Sequence, residues 1–125
     1  MDLRKTARYN LYGKDAPQQM ADVRCQFDFD PKLKGILVDL GIGGFGIETH
    51  DLTGSQAEHI QKSDTYIMTI YFENEFIMAS VKNVWNRIIF DTGKMFLKGG
   101  VAINIISPED RLKLSGIIEK IRSSQ

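Results

Sequence analysis

The sequence predicts a mainly β domain, a small antiparallel barrel or sandwich, that ends in one α-helix. Two observations carry this prediction. Apolar and polar residues alternate in several short segments separated by turn residues, which is the pattern of half-buried strands. After residue 107 the period changes, and apolar residues recur at helical spacing. One face of such a helix must cover apolar surface on the strands.

Six segments fit a strand, and they span residues 21–29, 35–40, 45–49, 65–72, 76–85 and 95–106. The first alternates strictly and places Cys25 on the apolar side, so we predict a buried thiol rather than a nucleophile. The polar connection 50–64 has room for one helical turn. Regular turns between the strands are typical of a small barrel or sandwich.

The helix is predicted over residues 108–122. Ser107 is its N-cap, Pro108 occupies the first helical position, and acidic residues follow in the first turn, all of which favour a helix start. Its apolar stripe consists of Leu114, Ile117, Ile118 and Ile121.

Composition indicates one ordinary globular domain, because the chain has 125 residues, 42% of them hydrophobic and 26% charged. The formal net charge is zero, so nothing global favours a nucleic-acid or membrane partner. No segment approaches the roughly 18 apolar residues of a membrane span, and we expect a cytoplasmic protein without membrane insertion. The charge is uneven, since residues 1–14 carry four basic residues against Asp2 alone.

The segment VDLGIGGFGIET, residues 38–49, has two interpretations. Gly41, Gly43 and Gly46 spell G-x-G-x-x-G, which is typical of a dinucleotide-binding turn when a helix follows directly. Here a β-type segment follows instead, so a glycine-rich turn or bulge between two strands accounts for the pattern. The same segment can also be interpreted from Asp39 as D-x-G-x-x-G, ending at Gly44.

The second interpretation gains from Arg4 and Arg8, which form R-x-x-x-R near the N-terminus. This motif, the Asp39–Gly44 motif, the segment SVKNVW and the final strand and helix together resemble the PilZ domain family. The resemblance implies a six-stranded antiparallel β-barrel with a C-terminal helix. It divides the chain into a flexible basic arm, residues 1–10, and a single barrel domain, residues 11–125.

The resemblance also implies a ligand, the bacterial second messenger cyclic di-GMP. Arg4 and Arg8 would hold guanine edges and phosphates, for which the planar guanidinium is suited. Asp39 would accept hydrogen bonds from guanine, and Gly44 would let the backbone approach the ligand. Further candidate contacts are Lys5, Trp85 and Arg87. For Trp85 we favour a core or barrel-rim position over stacking on a base.

One position departs from the family motif, because Gly41 stands where the family has Ser and offers only its backbone N–H. Because Arg4, Arg8 and Asp39 are retained, the predicted function is a cyclic di-GMP receptor that orders its arm on binding and signals through a protein partner. The alternatives are a nucleotide-independent PilZ interaction module and a small Rossmann-like enzyme. No residue set indicates catalysis, a metal site or a cofactor, and His50 and His59 are predicted to be surface residues.

Overall fold

The computed structural model describes residues 8–10 and 23–123 of the chain. The strands are β1 (Arg8–Asn10), β2 (Arg24–Phe27), β3 (Asp30–Gly41), β4 (Gly44–Thr49), β5 (Thr65–Phe72), β6 (Glu75–Asp91) and β7 (Lys94–Ile106). The helices are α1 (Gly54–Lys62) and α2 (Pro108–Ser123). Within these ranges, no helix is both long enough and apolar enough to cross a membrane.

Strands β2 to β7 close into an antiparallel barrel in the order β3-β2-β5-β6-β7-β4, with β4 pairing back to β3. The predicted six-stranded barrel with a C-terminal helix is therefore confirmed, and the sandwich alternative is excluded by this closure. The short β1 pairs with β3 beside its C-terminal end. It lies on the same side of β3 as β2, which pairs with the other half of that strand.

The barrel core consists of the alternate, inward-facing residues of strands β2 to β7. Cys25 is buried among them, as predicted. Burial raises the pKa of its thiol to about 12, so the group stays protonated and unreactive at neutral pH. Helix α2 packs against β6 and contributes the buried Leu114, Ile117 and Ile121, which belong to the predicted stripe.

Helix α1 is longer than the single turn expected from the sequence. Thr53 and Gln56 form a capping box at its start, in which each side chain bonds the backbone N–H of the other residue. At its end, Nδ2 of Asn83 donates to the carbonyl oxygens of Ile60 and Ser63, at 2.9 and 2.6 Å. These caps satisfy backbone groups that a short helix otherwise leaves to water.

Thr49 is fully buried, and its hydroxyl has no hydrogen-bond partner among the described residues. Because an unpaired buried hydroxyl costs about 1–3 kcal/mol and valine has the same shape, Thr49→Val is expected to raise the free energy of unfolding by about 1 kcal/mol. Urea denaturation measures the change. As a matched control, Thr53→Val removes a capping hydroxyl and should lower stability by about 1 kcal/mol. A lower free energy of unfolding in Thr49→Val would contradict the interpretation that the buried Thr49 hydroxyl has no hydrogen-bond partner.

Candidate functional site

The glycine-rich segment forms a tight hairpin between β3 and β4. Gly41 and Gly44 pair across it, and Ile42 and Gly43 make the two-residue turn. The carbonyl oxygen of Gly43 accepts a hydrogen bond from the N–H of Ile103 on β7, at 2.9 Å. A strand, not a helix, follows the turn, so the dinucleotide-turn interpretation of G-x-G-x-x-G is wrong and the turn between strands is confirmed.

The two predicted ligand motifs meet in the sheet. In the β1–β3 ladder Arg8 is opposite Gly41, and Asn10 is opposite Asp39. The second arginine of R-x-x-x-R therefore sits beside the D-x-G-x-x-G segment at the level of the backbone. Arg4 and Lys5 lie outside the described residues.

Asp39 reaches the outer face of the barrel because of a β-bulge. Leu37 is opposite Ile47 and Asp39 is opposite Gly46, so Val38 is an extra residue in β3. The inward-outward alternation reverses there, and Leu37 and Leu40 are both fully buried. The Asp39 carboxylate lies over the backbone of Gly46, since a β-carbon at position 46 would be 2.6 Å from Oδ2.

Trp85 reaches the same outer face through a second bulge. Asn83 is opposite Val101 and Trp85 is opposite Gly100, so Val84 is the extra residue in β6. Trp85 is 52% exposed, so of the two positions favoured for it, core or barrel rim, it does not occupy the core. Its indole lies over Gly100, because a β-carbon at position 100 would collide with Nε1 and come within 2.9 Å of Cδ1.

Gly46 and Gly100 are directly opposite each other in the β4–β7 ladder. Asp39 and Trp85 therefore lie over two adjacent backbones that carry no side chains. Cross-strand Cβ positions are about 4.5–5.5 Å apart, so the carboxylate and the indole N–H are within about 10 Å of each other. We name this arrangement the glycine floor: Gly46 and Gly100 with Asp39 and Trp85 above them.

The glycine floor can recognise a flat molecule that carries hydrogen-bond donors. The carboxylate of Asp39 accepts hydrogen bonds, and the half-exposed face of the Trp85 indole can stack on an aromatic ring. A larger residue than glycine at position 46 or 100 would displace one of these two groups. The close approach of a side chain to backbone explains glycine in the interior of two strands.

Gly46 and Gly100 were not among the site residues predicted from the sequence. A signal was present, because each lies inside a predicted strand, where glycine marks a bulge or a close approach. The motif glycines Gly41 and Gly44 lie outside the glycine floor. Gly41 and Gly44 belong to the ladder between β3 and β4, and Gly44 is also opposite Ala102 on β7.

Arg87 follows Trp85 by two residues and shares its outer face. It is exposed, and it lies directly opposite Lys98 on β7. Both histidines are exposed. Nε2 of the exposed His50 is 2.9 Å from Oε1 of Glu48, and the exposed His59 stacks on Phe29 with ring centroids 4.0 Å apart.

No protein-family model matches the chain, and a comparison with curated proteins found no match either. Solved structures do match it. The PilZ domain of YcgR from Escherichia coli, solved with c-di-GMP, covers 98% of this chain and 93% of its own length, with a TM-score of 0.63 and 14% identity.

Two further structures match a smaller part. K. pneumonia MrkH in its apo state has a TM-score of 0.62 at 11% identity, and Borreliella burgdorferi PlzA in complex with c-di-GMP has 0.51 at 11%. Each covers 82% of this chain, which spans about half of their length, 47% and 46%. At these identities the likeness concerns the fold. The chain thus has the fold of these PilZ domain proteins, a six-stranded antiparallel barrel with a C-terminal helix.

Proposed function

We propose that this protein is a bacterial cytoplasmic receptor for cyclic di-GMP, without enzymatic activity. The observation that carries the proposal is the glycine floor, on which Asp39 and Trp85 share one outer face beside the strand that contains Arg8. The PilZ-like fold supports it, since two of the matching structures were solved with c-di-GMP.

The chemistry of guanine fits this arrangement. Its ring N–H and amino group are neighbouring donors on one edge, and the Asp39 carboxylate has two acceptor oxygens. Its flat face can stack on the exposed indole of Trp85, an interaction worth about 1–3 kcal/mol per base. Arg4 and Arg8 would supply bidentate contacts to a second guanine edge or to phosphates. Gly41 and Gly44 would line the adjacent turn.

The glycine at position 41 favours a second candidate function. A motif Ser would add a hydroxyl contact, and the loss of one hydrogen bond to a charged ligand costs roughly 1.5–3 kcal/mol. If the remaining contacts were too weak, the domain would act as a nucleotide-independent interaction module. Trp85 offsets this loss in our proposal, because stacking of a base on its indole contributes a free energy of similar size.

Isothermal titration calorimetry of the full chain with cyclic di-GMP tests the proposal, with GTP and NAD as comparison ligands. We expect saturable binding of the cyclic dinucleotide alone. If none of the three binds, the proposal fails in favour of the nucleotide-independent module. If NAD or GTP binds as tightly as cyclic di-GMP, the site is a general nucleotide site and not a messenger receptor.

The response to the ligand is a separate prediction. Segment 1–10 is rich in basic residues and poor in apolar ones, so we expect charge contacts with the ligand to order it. Hydrogen exchange followed by mass spectrometry should show slower exchange of the amides of residues 3–9 when cyclic di-GMP is bound, most of all at residues 3–7, because Arg8 and Tyr9 already pair with β3 in β1. Equal exchange in both states would contradict ordering by the ligand while leaving binding intact. If the ligand orders segment 1–10, a protein partner would bind the ordered form.

A further inference from the structure

Arg87 and Lys98 form a pair of like charges next to the glycine floor. They are directly opposite each other in the β6–β7 ladder, and both are exposed on the face that carries Trp85. Like charges that face each other across a ladder destabilise a sheet. Among the described residues neither forms an ion pair that would relieve this repulsion.

The acidic neighbour of the pair in the ladder is Glu48, which is opposite Lys98 on β4. Its Oε1 is 2.9 Å from Nε2 of His50, and among the described residues it forms no ion pair with Lys98. The exposed pair therefore presents two positive groups toward solvent at one place. A bound anion would remove the repulsion between them.

The position of the pair relative to Trp85 indicates which anion. Arg87 is two residues beyond Trp85 on the same face, which is a distance of about 7 Å along a strand. Lys98 is likewise two residues from Gly100, the glycine that the Trp85 indole covers. A base that stacks on Trp85 would bring the phosphate of its own nucleotide toward this row.

We propose that Arg87 and Lys98 form a phosphate subsite, which binds a phosphodiester group of the purine dinucleotide whose base stacks on Trp85. This inference rests on the proposed function and deepens it. The guanidinium of Arg87 would bond two phosphate oxygens at once, and the ammonium of Lys98 would act as a point charge beside them.

The test uses the full chain and cyclic di-GMP as the probe. Arg87→Gln and Lys98→Gln are each expected to weaken binding about tenfold, equivalent to 1.4 kcal/mol, and to reduce the dependence of affinity on salt. Arg87→Lys, which keeps the charge, should lose less than Arg87→Gln. The matched control is Arg111→Gln, an exposed arginine on α2, whose affinity should equal that of the wild type.

A second readout distinguishes a ligand subsite from a structural role. Removal of one cation ends the repulsion, so Arg87→Gln and Lys98→Gln should leave the Tm of the free protein unchanged or slightly higher. A lower Tm in both variants would indicate a structural role and overturn the inference. If the wild type binds cyclic di-GMP and both variants bind equally well, only the subsite fails. If the wild type does not bind, the proposed function fails with it.

Discussion

Asp39→Asn is expected to lose at least about tenfold in affinity for cyclic di-GMP, because a hydrogen bond to a charged group is worth about 1.5–3 kcal/mol. Asparagine keeps the size of the side chain and its close approach to Gly46. It replaces one carboxylate oxygen with an amide N–H₂, however, which would face a donor of the guanine edge. Titration calorimetry measures the loss directly.

Ligand choice sharpens this test. Adenine lacks the two neighbouring donors of guanine, so the wild type should discriminate strongly against cyclic di-AMP, and Asp39→Asn should discriminate much less. The matched control is Asp64→Asn, an exposed aspartate between α1 and β5, which should bind as the wild type does. Unchanged affinity and unchanged discrimination in Asp39→Asn would show that the carboxylate does not contact the base.

Gly100→Ala is expected to weaken binding by about tenfold or more, since the new methyl group would displace the Trp85 indole that stacks on the base. A β-carbon there would collide with Nε1 of Trp85. Trp85 is the single tryptophan of the chain, so its fluorescence reports on this site alone. The emission of the free variant should shift to the red as the indole moves into water, and ligand should quench it less than in the wild type.

A double-mutant cycle separates this effect from a general loss of stability. In a Trp85→Ala background, Gly100→Ala has no indole to displace and should change the affinity little. Gly116→Ala on α2 is the control for an added methyl group, because a β-carbon there meets nothing within 4 Å. Equal losses from Gly100→Ala with and without Trp85 would contradict the positioning role of this glycine.

The sequence was sufficient to predict the fold, and its motifs supplied the residues proposed for one side of the candidate site. Period-two segments, turn residues and the helix start at Ser107 are local signals, and they predicted the barrel and α2. The structure also places Arg8 opposite Gly41, so the two motifs are neighbours, and their role in binding stays a prediction. Each of these features depends on residues close in sequence or on a motif with known order.

The other side of the site depends on strand register, which local signals do not contain. Gly46 and Gly100 are far apart in sequence, and only the β4–β7 ladder makes them neighbours. The exposure of Trp85 has a related cause. Ile77 and Val81 are buried, so uninterrupted alternation would also place residue 85 inside. The extra residue Val84 breaks that alternation.

Both bulges have a common consequence for how such a domain can change in length and keep its site. Val38 and Val84 are each one residue more than the opposite strand, so the side chains beyond them are out of phase with uninterrupted alternation. Deletion of either valine would leave a regular ladder, in which Asp39 directly follows Leu37, or Trp85 directly follows Asn83, and still faces outward opposite Gly46 or Gly100. Among chains of this fold, therefore, the cross-strand partner glycines, and not the spacing along one strand, identify the positions equivalent to Asp39 and Trp85.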